Sequence, residues 1–165
     1  MDAAPMAKAA APRAASRAPA AAAMDRGEGP ALAPPRTALA RDVESRHARG
    51  ELSDAQKRFP PCPEGGDLRR LAWLDAQGRV RKLERERAGG VLVEEWFDEA
   101  GRLAEARLRG PGGWVQRLEV APSGEERLEE AAGTPPPSAE APPLVRRDPA
   151  AVFFAPTGCD AARPH

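Results

Sequence analysis

The stretch GGDLRRLAWLDAQGRVRKLERER (65–87) is followed by AGGVLVEEWFDEAGRLAEARLRG (88–110) and PGGWVQRLEVAPSGEERLEEAAG (111–133), three lengths of 23 residues with one shared pattern. Two columns of glycine and two columns of apolar residues run through all three lengths. The glycines are Gly66, Gly89 and Gly112, and then Gly78, Gly101 and Gly124. The apolar residues are Leu68, Val91 and Trp114, and then Leu74, Phe97 and Val120. A fixed period of this length is typical of proteins built from structural repeats.

Each 23-residue unit has a turn signal at the same place, between two short segments that alternate apolar and polar residues. Asp75 and Asp98 open the first two turns, and a glycine closes each of them three residues later. An Asp side chain at the first turn position accepts a hydrogen bond from the backbone two residues on, and Gly adopts positive φ readily. The third turn, 121–124, keeps the glycine and has Pro122 to set the backbone. The sequence therefore predicts a mainly β fold, an antiparallel meander of three hairpin repeats.

Two segments of the repeat are ambiguous between strand and helix. Residues 79–87 and 102–110 are rich in Arg, Glu, Leu and Ala, which favour helix by propensity. A helix confined between two glycine-bearing turns would be short and marginal, so we favour strands. The third unit lacks the turn Asp and Arg of the other two and the tryptophan that they have at positions 73 and 96, and its EERLEE segment is the weakest predicted strand. We interpret that unit as a cap on the repeat.

Alternation along the first strand of each unit assigns side chains to the two faces of the predicted sheet. One mostly apolar face contains positions 68, 74, 91, 93, 97, 114, 118 and 120. Trp73 and Trp96 share a column on the opposite face, where they need a cover or a ligand. We favour their packing in a core beneath a flanking segment, with a binding surface as the alternative.

The chain before the repeat divides into a linker and a helical segment. Residues 1–36 are rich in Ala and Pro, and proline at this frequency blocks helix propagation, which predicts a disordered linker. Residues 37–59 predict a helix that ends at Gly50, and then a second short helix capped by Ser53 and Gln56. A helix-turn-helix DNA-binding module is disfavoured, because the apolar face of this segment is too thin.

The chain after the repeat is expected to return to it. Residues 134–143 predict a second Pro-rich linker, and 144–165 predict a C-terminal return segment. Phe153 and Phe154 indicate that this segment docks on the sheet, as an edge strand or an extended strap. The folded domain proper is expected to comprise residues 37–133. A core of that size rarely supplies more than about 3–5 kcal/mol, so an additional constraint is expected.

Two cysteines bracket the repeat and are candidates for that constraint. A disulfide between Cys62 and Cys159 would close a loop of roughly a hundred residues, worth on the order of 4–5 kcal/mol in the chain-entropy model. Such a bridge would indicate export to an oxidising compartment. Two unpaired thiols in a cytoplasmic protein are the alternative, and sequence spacing does not decide between the two.

The sequence contains no recognised motif for catalysis or metal binding. Cys62, Cys159, His47 and His165 match the ligand count of a zinc site, but no pair of them has ligand spacing. A Cys159–His47 nucleophile would lack an orienting third group, and GxSxG, HExxH and phosphate-binding glycine loops are absent from the sequence. We therefore predict no catalytic residues, no cofactor and no metal, with an unrecognised hydrolase as the remaining enzymatic alternative.

The charged residues are balanced and give no sign of a nucleic-acid partner. The chain has 25 Lys and Arg against 25 Asp and Glu, without the basic excess that phosphate binding needs. Glu94 and Glu95, like Glu129 and Glu130, are adjacent and are predicted to point to opposite faces of a strand as solvated charge. No stretch approaches the roughly 18 apolar residues of a transmembrane helix.

Two segments, WLDAQGRV (73–80) and FDEAGRL (97–103), resemble the YD repeats of Rhs-type proteins. That signature is an aromatic residue, Asp, two variable residues, Gly, Arg and an aliphatic residue. The second segment fits throughout, the first has Leu74 at the aromatic position with Trp73 beside it, and the third unit lacks the Asp and the Arg. The hairpins are also similar to the MORN-like repeats of some bacterial antitoxins and envelope proteins. Either resemblance implies an all-β, non-enzymatic module used as a shell, a scaffold or a binding surface.

The sequence and the resemblance together predict an exported or cell-envelope β-repeat domain that binds or scaffolds a protein or an envelope component. A cytosolic antitoxin-like or immunity-like module that binds protein is the alternative. The expected location is periplasmic, envelope or secreted if an export signal is missing from this chain, and cytoplasmic otherwise. An edge strand at either end of the meander offers unpaired backbone groups to another chain.

Overall fold

The computed structural model describes residues 34–63, 65–137 and 143–156. Seven strands in these residues form one antiparallel sheet whose spatial order is the order of the chain. The strands are β1 (Ser53–Arg58), β2 (Asp67–Leu74), β3 (Val80–Arg87), β4 (Val91–Phe97), β5 (Leu103–Arg109), β6 (Val115–Val120) and β7 (Glu126–Ala132). The helices are α1 (Ala38–Ala48), before the sheet, and α2 (Pro149–Phe154), after it, and a short 3-10 turn (Pro111–Gly113) joins β5 to β6. The predicted mainly β meander with a short N-terminal helix is confirmed.

The hairpin turns follow the chemistry that the sequence predicts. The Asp75 carboxylate accepts hydrogen bonds from backbone N–H groups two and four residues on, both at 3.0 Å, and Gly78 stands at φ 75°. The Arg79 side chain folds back onto the same carboxylate, with its Nε 2.8 Å from the second oxygen. Asp98 and Arg102 make the same contacts at the next such turn. The arginine that follows each of these glycines therefore closes the turn by holding the aspartate.

The two ambiguous segments are strands, as predicted. β3 lies within 79–87 and β5 within 102–110, and each pairs with a strand on both sides. Gly89 and Gly90, both at positive φ, reverse the chain directly after β3, which leaves a helix too little length to form. The EERLEE segment, which has the weakest strand signal in the sequence, lies in the strand β7, which pairs only with β6.

The prediction of a second short helix after Gly50 is wrong. Ser53–Arg58 forms β1, which pairs antiparallel with β2 along its full length. The backbone of so short a helix would leave most of its N–H and C=O groups without partners, whereas the edge of β2 satisfies those on one side of β1. The end of α1 at Gly50 is as predicted: this glycine has φ 75° and donates to His47 O at 2.9 Å.

One face of the sheet, called the apolar face below, is packed under the C-terminal segment. Its cluster of buried residues is Ala72, Val80, Leu83, Val91, Val93, Phe97, Leu103, Ala106, Leu108, Trp114, Val145 and Phe153. All positions predicted for this face except Leu68 belong to this cluster or pack against it. The opposite face, called the α1 face, has a smaller cluster made of Ala40, Val43, Leu52, Trp73 and Trp96.

The C-terminal segment docks on the apolar face, but not as an edge strand. Residues 143–147, called the strap below, belong to no helix or named strand, and α2 follows them. Asp148 caps α2 with its side chain, and Pro149 occupies the first turn, where a missing N–H is harmless. Phe153 is only 3% exposed, whereas Phe154 is 64% exposed. The prediction of docking is therefore confirmed, with one of the two phenylalanines in the core.

Parts of several predicted segments lie outside the described residues. These parts are 1–33 of the N-terminal linker, 138–142 of the Pro-rich linker, and 157–165 of the return segment, which includes Cys159 and His165. The disorder of the linkers and the Cys62–Cys159 disulfide therefore stay predictions.

Candidate functional site

The two tryptophans singled out in the sequence lie beneath α1. Trp73 is 7% exposed and Trp96 is fully buried, and Ala40 and Val43 of the helix belong to the same cluster. Their burial agrees with the interpretation of these rings as covered core. In this structure neither ring presents an open surface to a ligand.

His47, the histidine considered for catalysis, is held by two neighbours. Its ring stacks on Trp73 with centroids 3.7 Å apart and an interplanar angle of 1°. Its Nε2 lies 2.8 Å from an oxygen of Asp54 on β1. These contacts join α1 to the first two strands, so the structure gives His47 a packing role. Cys159, its hypothetical catalytic partner, lies outside the described residues.

The α1 face carries buried charge next to the tryptophans. Lys82 Nζ lies 2.9 Å from Glu44 of α1 and 3.3 Å from Glu94 of β4, and it stands 4.1 Å from the centroid of the Trp73 ring. Burial alone would lower the pKa of Lys82, but the carboxylates of Glu94, Glu84 and Glu44 raise that pKa above its ordinary value. Glu44 also accepts a hydrogen bond from Trp96 Nε1 at 3.1 Å, which ties α1 to the sheet.

Glu105, on β5, binds the start of α1. Its carboxylate accepts from the N–H of Arg36 at 3.2 Å, and from the N–H and hydroxyl of Thr37 at 2.9 and 2.8 Å. The beginning of a helix has N–H groups without internal partners and a partial positive charge, which a buried carboxylate complements. The Thr37 hydroxyl in turn accepts from Ala40 N–H, so that one chain of hydrogen bonds runs from the sheet into the helix.

Glu95, on β4, holds the strap on the apolar face. It is fully buried, accepts from Val145 N–H at 2.6 Å, and pairs with Arg85. Arg85 also donates to Pro143 O at 2.9 Å. Burial raises the pKa of Glu95 and outweighs the opposing effects of the Arg85 charge and the Val145 N–H. The strap is therefore fixed to the sheet through its own backbone, by two side chains of opposite charge.

Arg70, on β2, holds the end of α2. Its guanidinium donates to the carbonyl oxygens of Val152 and Ala155 at 2.7 and 2.6 Å. The carbonyl end of a helix favours a cation, so this contact mirrors that of Glu105 with the start of α1. Arg70 is itself paired with Asp67 at 2.6 Å. Both covers of the sheet are thus positioned by buried charges that bind backbone groups.

The expectation of solvated charge is wrong for Glu94 and Glu95. They do point to opposite faces, but both are buried, 5% and 0% exposed, because both faces of the sheet are covered. Each has an arginine partner on a neighbouring strand, a pairing that becomes visible only once the strand register is known. Glu129 and Glu130, on β7, are exposed.

β7 is the most exposed strand of the sheet. All seven of its residues are exposed, and no strand of the described residues pairs with its outer side. Its side chains include three carboxylates and one guanidinium, from Glu126, Glu129, Glu130 and Arg127. Leu128, 55% exposed, lies opposite Leu118 and so belongs to the apolar face. A strand in this position offers its outer N–H and C=O groups to another extended chain.

The chain was compared with protein-family models, curated proteins and solved structures. No protein-family model, curated protein or solved structure matches the chain. The resemblance to YD and MORN-like repeats therefore stays a prediction from the sequence. Within the described ranges, no group of three or more His, Cys, Asp or Glu side chains is arranged so that it could hold a metal ion. Neither of the helices described here has the length and apolar character needed to cross a bilayer.

Proposed function

We propose that this chain is a non-catalytic binding and scaffolding domain, which adds an extended segment of a partner protein to the outer edge of β7. The observation that supports this most directly is the exposure of β7 along its full length, on a sheet whose two faces have covers. Strand addition obtains affinity from main-chain hydrogen bonds and specificity from alternate side chains. It needs neither a pocket nor a cofactor.

The side chains of β7 favour a basic partner segment. Three carboxylates against one arginine leave the strand with two net negative charges. Pairing of β7 with β7 of a second copy would set two acidic strands side by side, which is unfavourable. Glu130 and Leu128 lie on opposite faces, because they pair with Arg117 and Leu118. A matching segment would alternate Lys or Arg with an aliphatic residue.

The proposal is tested with a short fluorescent peptide that alternates lysine and valine. We expect saturable binding by fluorescence anisotropy, weakened about tenfold or more when Glu130→Lys and Leu128→Lys are combined. Arg58→Glu, an exposed change on the opposite edge strand, is the matched control and is expected to leave the affinity unchanged. Equal affinity of the wild type and the β7 variant would contradict strand addition at β7.

We also propose an exported or envelope location, which rests on the Cys62–Cys159 disulfide. Arg70 supports the pairing, because it contacts both the Phe59 ring, at 4.7 Å, and Ala155 O, at 2.6 Å. The segments that lead to the two cysteines therefore start from neighbouring points. Mass spectrometry of natively isolated protein, with and without reduction, should show the loss of two hydrogens in the unreduced form. Free thiols in that material would contradict export.

A further inference from the structure

A cleft of about 500 Å³ opens where two hairpin turns meet the start of α1 and the strap. Its apolar lining residues are Leu39, Leu103, Ala104, Val120, Ala121 and Pro122. A cleft of this volume suits a small organic molecule or the end of a peptide. Arg146 and Arg147 of the strap line the cleft, so the docked C-terminal segment forms part of it.

The charged residues of the cleft do not balance. Arg102, Arg146 and Arg147 line it together with two carboxylates, Asp98 and Glu126. Arg102 Nε is bound to Asp98 at 3.0 Å, and Arg146 pairs with Glu126. Arg147 is exposed and forms no ion pair with any residue in the described part of the chain. Among the described residues, the guanidinium of Arg147 therefore has no ion-pair partner at the wall of this cleft.

The backbone brings Arg147 next to Arg102. These two residues are partners in an isolated antiparallel bridge, and Leu103 N–H donates to Arg146 O at 3.2 Å beside it. Residues directly opposite on such a bridge have Cα atoms about 4.5–5.5 Å apart and side chains on the same side. Like charges in this arrangement repel and destabilise the pairing. An anion placed between the two guanidinium groups would remove that repulsion.

We propose that this cleft binds a carboxylate carried on an apolar body. The carboxylate is bound by Arg147 and the free edge of Arg102, since guanidinium groups match carboxylates in a planar, two-bond geometry. The apolar body lies against Leu103 and Val120. A free organic acid and the C-terminus of a peptide ending in an apolar residue both present this chemistry. Neither arginine is on β7, although Glu126 at the start of that strand lines the cleft and pairs with Arg146.

The chemistry of the ligand is tested by isothermal titration calorimetry on the full chain. The probes are octanoate, octanamide, and acetylated dileucine with either a free or an amidated C-terminus. We expect saturable heat with at least one of the two acids and none with its amide. Binding of octanoate alone identifies a free acid as the source, and binding of the peptide acid identifies a C-terminus. Equal binding of acid and amide, or no saturable heat with either acid, overturns the proposal.

The site is tested by the substitution Arg147→Gln. This residue is exposed and has no ion pair with another described residue, so the fold should persist, as tryptophan fluorescence and circular dichroism can verify. We expect the affinity for the acid that binds to fall about tenfold, the usual loss of a hydrogen bond between charged groups. Arg58→Gln, on the opposite edge strand, is the control and should leave the affinity unchanged. Pro122→Glu, an exposed change in the cleft lining, should also weaken binding. Unchanged affinity in both cleft variants overturns the proposal.

Discussion

At the scale of single residues, the fold depends on buried charged side chains that bind backbone groups of the covering segments as well as other side chains. Glu105 holds the start of α1, Glu95 holds the strap, and Arg70 holds the end of α2. A buried charge that loses such partners is strongly destabilising. Each contact therefore disfavours any arrangement in which α1, the strap or α2 attaches elsewhere on the sheet. These three residues specify where the helices and the strap attach.

Glu105→Gln tests this role. The amide keeps the size of the side chain but sets an N–H group against the donors of Arg36 and Thr37. We expect the free energy of unfolding in urea to fall by about 2–3 kcal/mol, because hydrogen bonds to a charged group are worth about 1.5–3 kcal/mol each. The matched control is Glu130→Gln on the exposed strand β7, which should change stability by less than about 0.5 kcal/mol. Similar losses in the two variants would disprove the role of Glu105.

Asp75 gives a prediction for acid pH. Burial acts to raise its pKa, but hydrogen bonds from the backbone and side chain of Arg79 and from Gln77 N–H together hold that pKa below its ordinary value. The folded state therefore keeps this carboxylate ionised at lower pH than the unfolded chain does. Its contribution is complete above the unfolded pKa of about 3.9 and disappears as the pH falls through the folded pKa. In the Asp75→Asn variant, the melting temperature should fall less steeply with decreasing acid pH than in the wild type. An equally steep fall in the two proteins would count against this role of Asp75.

At the scale of elements, the sequence predicts best what is decided locally. The turns at Asp75 and Asp98 follow from side chains within five residues of each other, and both formed as predicted. β1 was mistaken for a helix because SDAQKR carries no apolar alternation, and only the edge of β2 makes it a strand. The burial of Glu94 and Glu95 likewise depends on covers that lie far away in sequence. The cleft was not predicted either, because its lining combines hairpin turns with strap residues that are distant in the sequence.

The neighbouring residues Phe153 and Phe154 test the docking of α2. Phe153 lies in the apolar core, and its replacement by Ala should lower the free energy of unfolding by about 3 kcal/mol or more. Phe154 contacts the edge of that ring, with centroids 5.1 Å apart, and lies 4.8 Å from Lys57 Nζ. Phe154→Ala should lower stability by less than about 1 kcal/mol. Chemical denaturation of the two variants checks the difference, and a larger loss in Phe154→Ala would contradict the described placement.

At the scale of the whole molecule, the segments that cover the two faces of the sheet leave the outer edge of β7 as the proposed place for a partner. The strap and α2 lie over the apolar face, and α1 covers the two tryptophans on the other. The sequence predicted the hairpin meander of residues 65–133 and suggested an edge strand at either end of it as an interaction site, but it missed β1, which forms one edge of the sheet. The two edge strands differ in exposure and in charge. β1 is partly buried and includes Lys57 and Arg58, whereas β7 is exposed throughout and acidic.

Residue-resolved hydrogen exchange of the free protein tests the central claim, that β7 is a paired strand with an open outer edge. In an antiparallel edge strand, alternate N–H groups point inward to the neighbouring strand and outward to solvent. We predict alternating slow and fast exchange along Glu126–Ala132, with the phase shifted at the bulge near Glu129, and slow exchange of the Thr37 and Val145 amides bound by buried carboxylates. Uniform protection of β7 would show that another segment already covers its edge, and uniform fast exchange would show that it is not a paired strand. Either result would contradict the proposed binding edge.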